Sequence, residues 1–78
     1  MDIREMLALI SDPLDKWRQL NSSADIHTLC VEENGQHAGV DIFVGYSVPR
    51  NPNSWGYFET KIQVPRTGEV TVGKPKRV

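Results

Sequence analysis

Asn34-Gly35 stands between two runs in which apolar and polar residues alternate, and no other feature constrains the chain as much. A two-residue type I′ turn needs positive φ at both central positions, which Asn-Gly supplies at the least steric cost. A turn there predicts that Glu33 opposes Gln36. Val31 then faces Ala38, Leu29 faces Val40, His27 faces Ile42 and Asp25 faces Val44. Directly opposed residues share a face of the sheet. One face of a hairpin over 24–49 is therefore mostly apolar, and Tyr46 and Val48 continue it. His27 would be a hydrogen-bonded boundary residue on that face. The reverse face carries Glu32 with His37, Cys30 with Gly39, Thr28 with Asp41 and Ile26 with Phe43. A one-residue slip would exchange the faces, so the hydrophobic pattern helps to hold the register.

Upstream, Ile3, Met6, Leu7, Ile10, Leu14, Trp17 and Leu20 recur at helical spacing and form one apolar stripe. Pro13 lacks a backbone donor and disfavours helical geometry at Asp12, which suits an N-cap. The spacing predicts a helix over 2–10 and another over 13–20, either kinked or distinct. Downstream, 49–54 reads as a rigid polar loop, because two prolines cannot continue a ladder. Alternation returns over 55–64, with Phe58, Thr60, Ile62 and Val64 on one face and Tyr57, Glu59, Lys61 and Gln63 on the other. Residues 65–68 form a turn with Gly68 at positive φ. A short strand over 69–73 should point Val70 and Val72 inward, and 74–78 should be a loose basic tail.

The predicted fold is α+β: an N-terminal helical segment, one kinked helix or two short ones, packed on one face of a four-stranded antiparallel meander. It is one domain over 1–78, with 1–21 helical, 24–73 the sheet and 74–78 the tail. Ile3, Leu7, Ile10, Leu14 and Trp17 should meet Leu29, Val31, Val40, Ile42, Val44, Phe58, Ile62, Val64 and Val70 in the core.

A formal charge of −1 implies neither a polyanion nor a membrane surface as partner. The longest apolar run, Met6–Ile10, is far too short to span a bilayer. Asp2 and Glu5 spoil the basic start of a secretory signal. One cysteine excludes an internal disulfide framework. The chain reads as a complete, soluble, cytoplasmic protein.

Cys30, His37 and Asp41 fall on one face of the hairpin, where they could serve as nucleophile, base and orienting acid, or with Glu32 as metal ligands. A flat sheet face gives them no pocket and nothing to exclude water, so a solvated edge is the expected role. The expectation is a non-enzymatic protein without cofactor or metal. A small-molecule site between helix and sheet finds no spare polar group in the core.

Apolar surface left over after the core is assigned says more. Ile26, Phe43 and Tyr57 could form one patch beside Trp55, with Arg50 and Lys61 as nearby cations. Aromatics and Arg inside a polar rim are enriched at protein interfaces. These six residues, on the outer sheet face and the 49–57 loop, are the candidate surface for a protein partner, and the outer face and strand edges equally suit a homodimer. Single-stranded nucleic acid is the alternative: Phe43, Trp55 and Tyr57 could stack on bases near Arg66, Lys74, Lys76 and Arg77. The near-neutral charge and the outward Glu32, Asp41 and Glu59 oppose it.

Overall fold

The structure is a computed structural model that describes residues 1–51 and 54–78, positions 50, 51, 54 and 55 by backbone alone. It is α+β: one helix, α1 (Ile3–Leu20), packed on an antiparallel sheet of β1 (Asp25–Asn34), β2 (Gly39–Asn51), β3 (Ser54–Val64), β4 (Thr71–Val72) and β5 (Lys76–Arg77). The order is β1-β2-β3-β4, with β5 also paired to β3. Thirteen residues of β2 at about 3.3 Å each span ~43 Å, which accounts for the longest dimension of 43 Å.

The helix is continuous rather than broken at residue 12. Asp2 caps it, its carboxylate accepting from the Glu5 N–H at 2.9 Å, and Pro13 lies in its interior. Ile10, Leu14 and Trp17 lie on one stripe across Pro13, so a break would lift one half of that stripe from the sheet. Their burial outweighs the single backbone donor that Pro13 lacks. Trp17 packs edge-on against Tyr46, with ring centroids 4.8 Å apart, and Tyr46 stacks on Phe58 at 5.7 Å. Val40, Ile42, Val44, Ile62 and Val64 complete the buried core, with Met6, Leu9, Leu14, Val31 and Phe58 partly buried around it.

A helix is about 10–12 Å across, whereas four strands at ~4.8 Å spacing are wider. Alpha-1 therefore covers β2 and β3 and leaves both flanks open. Leu29 on β1 and Val70 beside β4, expected in the core, are 47% and 44% exposed, and Ile3, Leu7, Leu20 and Val72 are exposed too.

The hairpin register differs from the expected one. Asn34 pairs with Gly39, Val31 with Ile42, Cys30 with Phe43 and Leu29 with Val44, around a four-residue loop over 35–38. The positive φ falls on Ala38, at 56°, instead of on an Asn-Gly pair. Asn34 caps this loop by accepting from the Gln36 N–H at 2.9 Å. Two forces favour the longer loop. It gives Val31 the larger Ile42 in place of Ala38, and it sets Gly39 where a Cβ would strike the Val64 carbonyl. The shift is an even number of residues, so both faces survive it near the turn.

They do not survive beyond His27. A bulge between Ile26 and Thr28 sets Ile26 opposite Tyr46 and Asp25 opposite Ser47. Ile26 thus turns to the helix side and His27 to the outer side, the reverse of the expected assignment. The ladder between β2 and β3 also runs further than expected, through Pro49↔Trp55 to Asn51↔Ser54, so 49–51 is strand and not loop. Pro52 and Asn53 lie outside the described residues. Gly68 takes positive φ, at 107°, as expected. The C-terminal stretch is not loose: Lys76 and Arg77 pair with Glu59 and Phe58, and the Val78 N–H donates to the Tyr57 carbonyl at 2.9 Å.

Candidate functional site: the open face of the sheet

With α1 on one face, no described element covers the other. Alternation along β2 and β3 sends Asp41, Phe43, Gly45 and Ser47, and Tyr57, Glu59, Lys61 and Gln63, to this open side. Tyr57 is 56% exposed. Phe43 is half-buried, opposite Cys30 and Lys61, with the Lys61 ammonium 5.9 Å from its ring centroid.

Among the described residues, two polar positions on this face are nonetheless buried, each beneath a lid of side chains. Ser47 lies under His27, whose Nε2 is 2.6 Å from the Ser47 Oγ. The His27 ring is tilted against Tyr57, with centroids 6.0 Å apart. Between these aromatics and Phe43, Gly45 leaves a dip into which the Thr28 hydroxyl leans, because a Cβ at Gly45 would occupy that space. The resulting depression, of about 240 Å³, is lined by His27, Thr28, Gly45 and Tyr57 among others.

The second covered position is Asp41. Its carboxylate accepts from the Asn34 amide at 2.8 Å and pairs with His37 Nε2 at 3.0 Å, and Lys61 lies 3.7 Å away. The Gly39 N–H donates to His37 Nδ1 at 3.2 Å. A backbone N–H can only donate, so Nδ1 carries the lone pair and Nε2 carries the proton given to Asp41. Burial by itself raises the Asp41 pKa, but the Asn34 and His37 hydrogen bonds and the Lys61 charge outweigh it and hold the carboxyl below its usual value. This cluster fastens the 35–38 loop to β2.

Of the chemical constellation expected on this face, His37 and Asp41 do meet. Cys30 is set opposite Phe43, away from them in the register, and remains exposed. Among the described residues no group of His, Cys, Asp and Glu is placed to hold a metal ion. Of the six expected partner residues, Phe43, Tyr57 and Lys61 share the open face, whereas Ile26 is carried off it by the bulge. Arg50 and Trp55 belong to β2 and β3 by backbone, and their side chains lie outside the described residues.

Of the expected nucleic-acid residues, Arg66 is engaged in the fold. It donates to the Ala38 carbonyl at 3.2 Å and to Glu5 at 3.3 Å. Lys74 and Lys76, with Lys61 and Glu59, instead line a hollow beside Phe43.

A feature missed in the sequence lies on the helix side. A groove of about 620 Å³ runs between α1 and β4, walled by Pro13, Trp17, Leu20, Val70 and Val72. Tyr46 and Thr60 reach it with hydroxyls 3.4 Å apart, so the core does present polar groups there. Its signal was the apolar Leu20 at the helix end, opposite a strand too short to be covered.

No helix among the described residues is long and apolar enough to cross a membrane. No protein-family model, no curated protein and no solved structure matches the chain.

Proposed function

We propose that this chain is a non-enzymatic interaction protein, of the inhibitor, immunity or accessory-subunit kind, that binds a protein partner through the open face of its sheet. The observation that carries this reading is the one-sided architecture. A single helix covers one face, while the other presents Tyr57, Phe43 with Lys61 above it, and the His27–Thr28 rim. A face on a molecule measuring 43 × 20 × 19 Å is of the size of a standard interface, ~800 Å² per partner. Phe43 and Tyr57 lie two same-face steps apart with Glu59 between them and Lys61 and His27 beside them, a mix of aromatic and charged groups of the kind such interfaces use. The His37–Asp41 pair favours the same reading, because both ring nitrogens of His37 are spent on holding the loop. Partner capture from the native host tests it. Phe43→Ser, Tyr57→Ser and Trp55→Ala should each lose the partner while keeping the fold, and Leu20→Ser on the opposite face should retain it.

A second reading, single-stranded nucleic acid, is favoured by the grouping of Lys61, Lys74 and Lys76 around Phe43. Exposed Glu59, Glu32 and Asp25 oppose it. Binding on that basis would weaken steeply with added salt, because phosphate contacts release counterions.

A further inference from the structure

We propose that two copies of this chain associate through β1, pairing antiparallel about a two-fold axis at Cys30 to make one continuous sheet. The two edges of the sheet are built differently. The β4/β5 edge is cut into two-residue pieces by Gly73, Lys74 and Pro75 and carries Lys74, Lys76 and Arg77. Short strands, proline and lysine are the devices that keep an edge from pairing. Beta-1 is ten residues long, lies at the other edge, and contains neither proline nor a lysine or arginine; its bulge is confined to the end between Ile26 and Thr28 and leaves the pairing regular from Thr28 to Asn34. One row of its backbone N–H and C=O groups faces away from β2.

The apolar surface along that edge fits a second copy. Leu29 is 47% exposed and Ile26 37% exposed on the helix side of β1, and Leu7 and Ile3 are 53% and 73% exposed. At 100° per residue, Ile3 and Leu7 lie on the opposite side of Trp17 from Pro13 and Leu20. Pro13 and Leu20 line the β4 groove, so Ile3 and Leu7 flank β1. A two-fold normal to the sheet keeps both helices on one side, with both Leu7 flanks along the seam.

The register follows from the side chains. Opposed residues must share a face, so the axis passes through a residue and not between two. An axis at Val31 would set Leu29 against Glu33 of the second copy. An axis at Leu29 would set Val31 against the bulged His27. An axis at Cys30 sets Leu29 against Val31 in both directions and Thr28 against Glu32, and holds the two Glu32 side chains about 14 Å apart. Of the three, only this register gives both Leu29 and Val31 an apolar partner, and it still keeps the acidic ends apart. This pairing goes beyond the open-face reading and leaves that face free in both copies.

Analytical ultracentrifugation of the reduced protein from micromolar to near-millimolar concentration tests the proposal. A reversible dimer is expected. Leu29→Lys and, on the helix flank, Leu7→Lys should each raise its dissociation constant about 30-fold or more, the scale of an interface hot spot. Both residues are half exposed, and circular dichroism checks that the fold persists. Val72→Lys at the other edge should change nothing. Diamide, which takes up the two electrons and two protons of two thiols, should trap the native dimer through Cys30, since directly opposed strand residues lie within disulfide reach. Glu33→Cys in a Cys30→Ser background should not be trapped. A chain that stays monomeric throughout overturns the proposal, as does a dimer indifferent to both lysine variants, or one trapped through Glu33→Cys and not through Cys30.

Discussion

Truncating Trp17 to alanine is the sharpest test of how the molecule is held together. Trp17 is 4% exposed at the centre of the helix–sheet contact, edge-on to Tyr46, which in turn stacks on Phe58. Removing a buried tryptophan costs about 3–5 kcal/mol through lost transfer energy and the cavity left behind. A domain of this length holds roughly 4–12 kcal/mol in all. The variant should therefore lose at least about a quarter of that stability, with a melting temperature lowered by at least about 12 °C. Trp17→Phe, which keeps a ring against Tyr46, should lose much less. Leu7→Ala is the matched contrast: Leu7 belongs to the same sequence stripe but is 53% exposed, and should cost under about 1 kcal/mol. Urea denaturation followed by far-ultraviolet circular dichroism gives the midpoint and slope for each. If Trp17→Ala and Leu7→Ala shift the midpoint equally, α1 does not pack on β2 and β3 in the manner described.

Three further outcomes are expected. Asp41→Ala should cost about 1–3 kcal/mol, because the Asn34 amide and His37 Nε2–H lose their acceptor. Since the folded Asp41 pKa is depressed, its contribution is full above the unfolded value and is lost as pH falls through the lower folded value. Urea midpoints taken from neutral pH into the acid range should show that loss in the native chain and a smaller one in Asp41→Asn. Ala38→Gly should raise stability by about 0.5 kcal/mol or more, read as a higher melting temperature, since left-handed geometry costs a residue with a Cβ ~1–2 kcal/mol and glycine's unfolded freedom gives back only part. Gly39→Ala should cost about 1–3 kcal/mol in the same assay, because its Cβ meets the Val64 carbonyl, which is backbone and cannot swing aside.

The strands were most legible where a period of two met a core on one side. Phe58, Thr60, Ile62 and Val64 fall on the helix face and Tyr57, Glu59, Lys61 and Gln63 on the other, as their alternation implies. Gly68 was legible because a turn needs one residue at positive φ. The hairpin register was not, since Asn34 caps a longer loop instead of forming its corner, and that choice rests on Ile42, Val44 and Val64, which are remote in sequence. The His27 bulge has no local signature either; it became visible only through Ser47 and Tyr57 on the neighbouring strands. The bulge is why Ile26 lies on the helix side and not on the outer face. Pro13 leaves one helix or two open in the sequence, and the burial of Ile10 and Trp17 on either side of it, a tertiary effect, is what makes it one. The open flanks followed from the width of a helix against the width of a sheet, which no periodicity records.

Site-specific photocrosslinking in the native host decides whether the open face of the sheet binds a protein. A photoreactive residue at Tyr57, on the open face, should yield a discrete adduct with one protein partner, and the same residue at Leu20, on the helix side, should yield none. A partner trapped from Leu20 and not from Tyr57 would put the interface on the helix side instead.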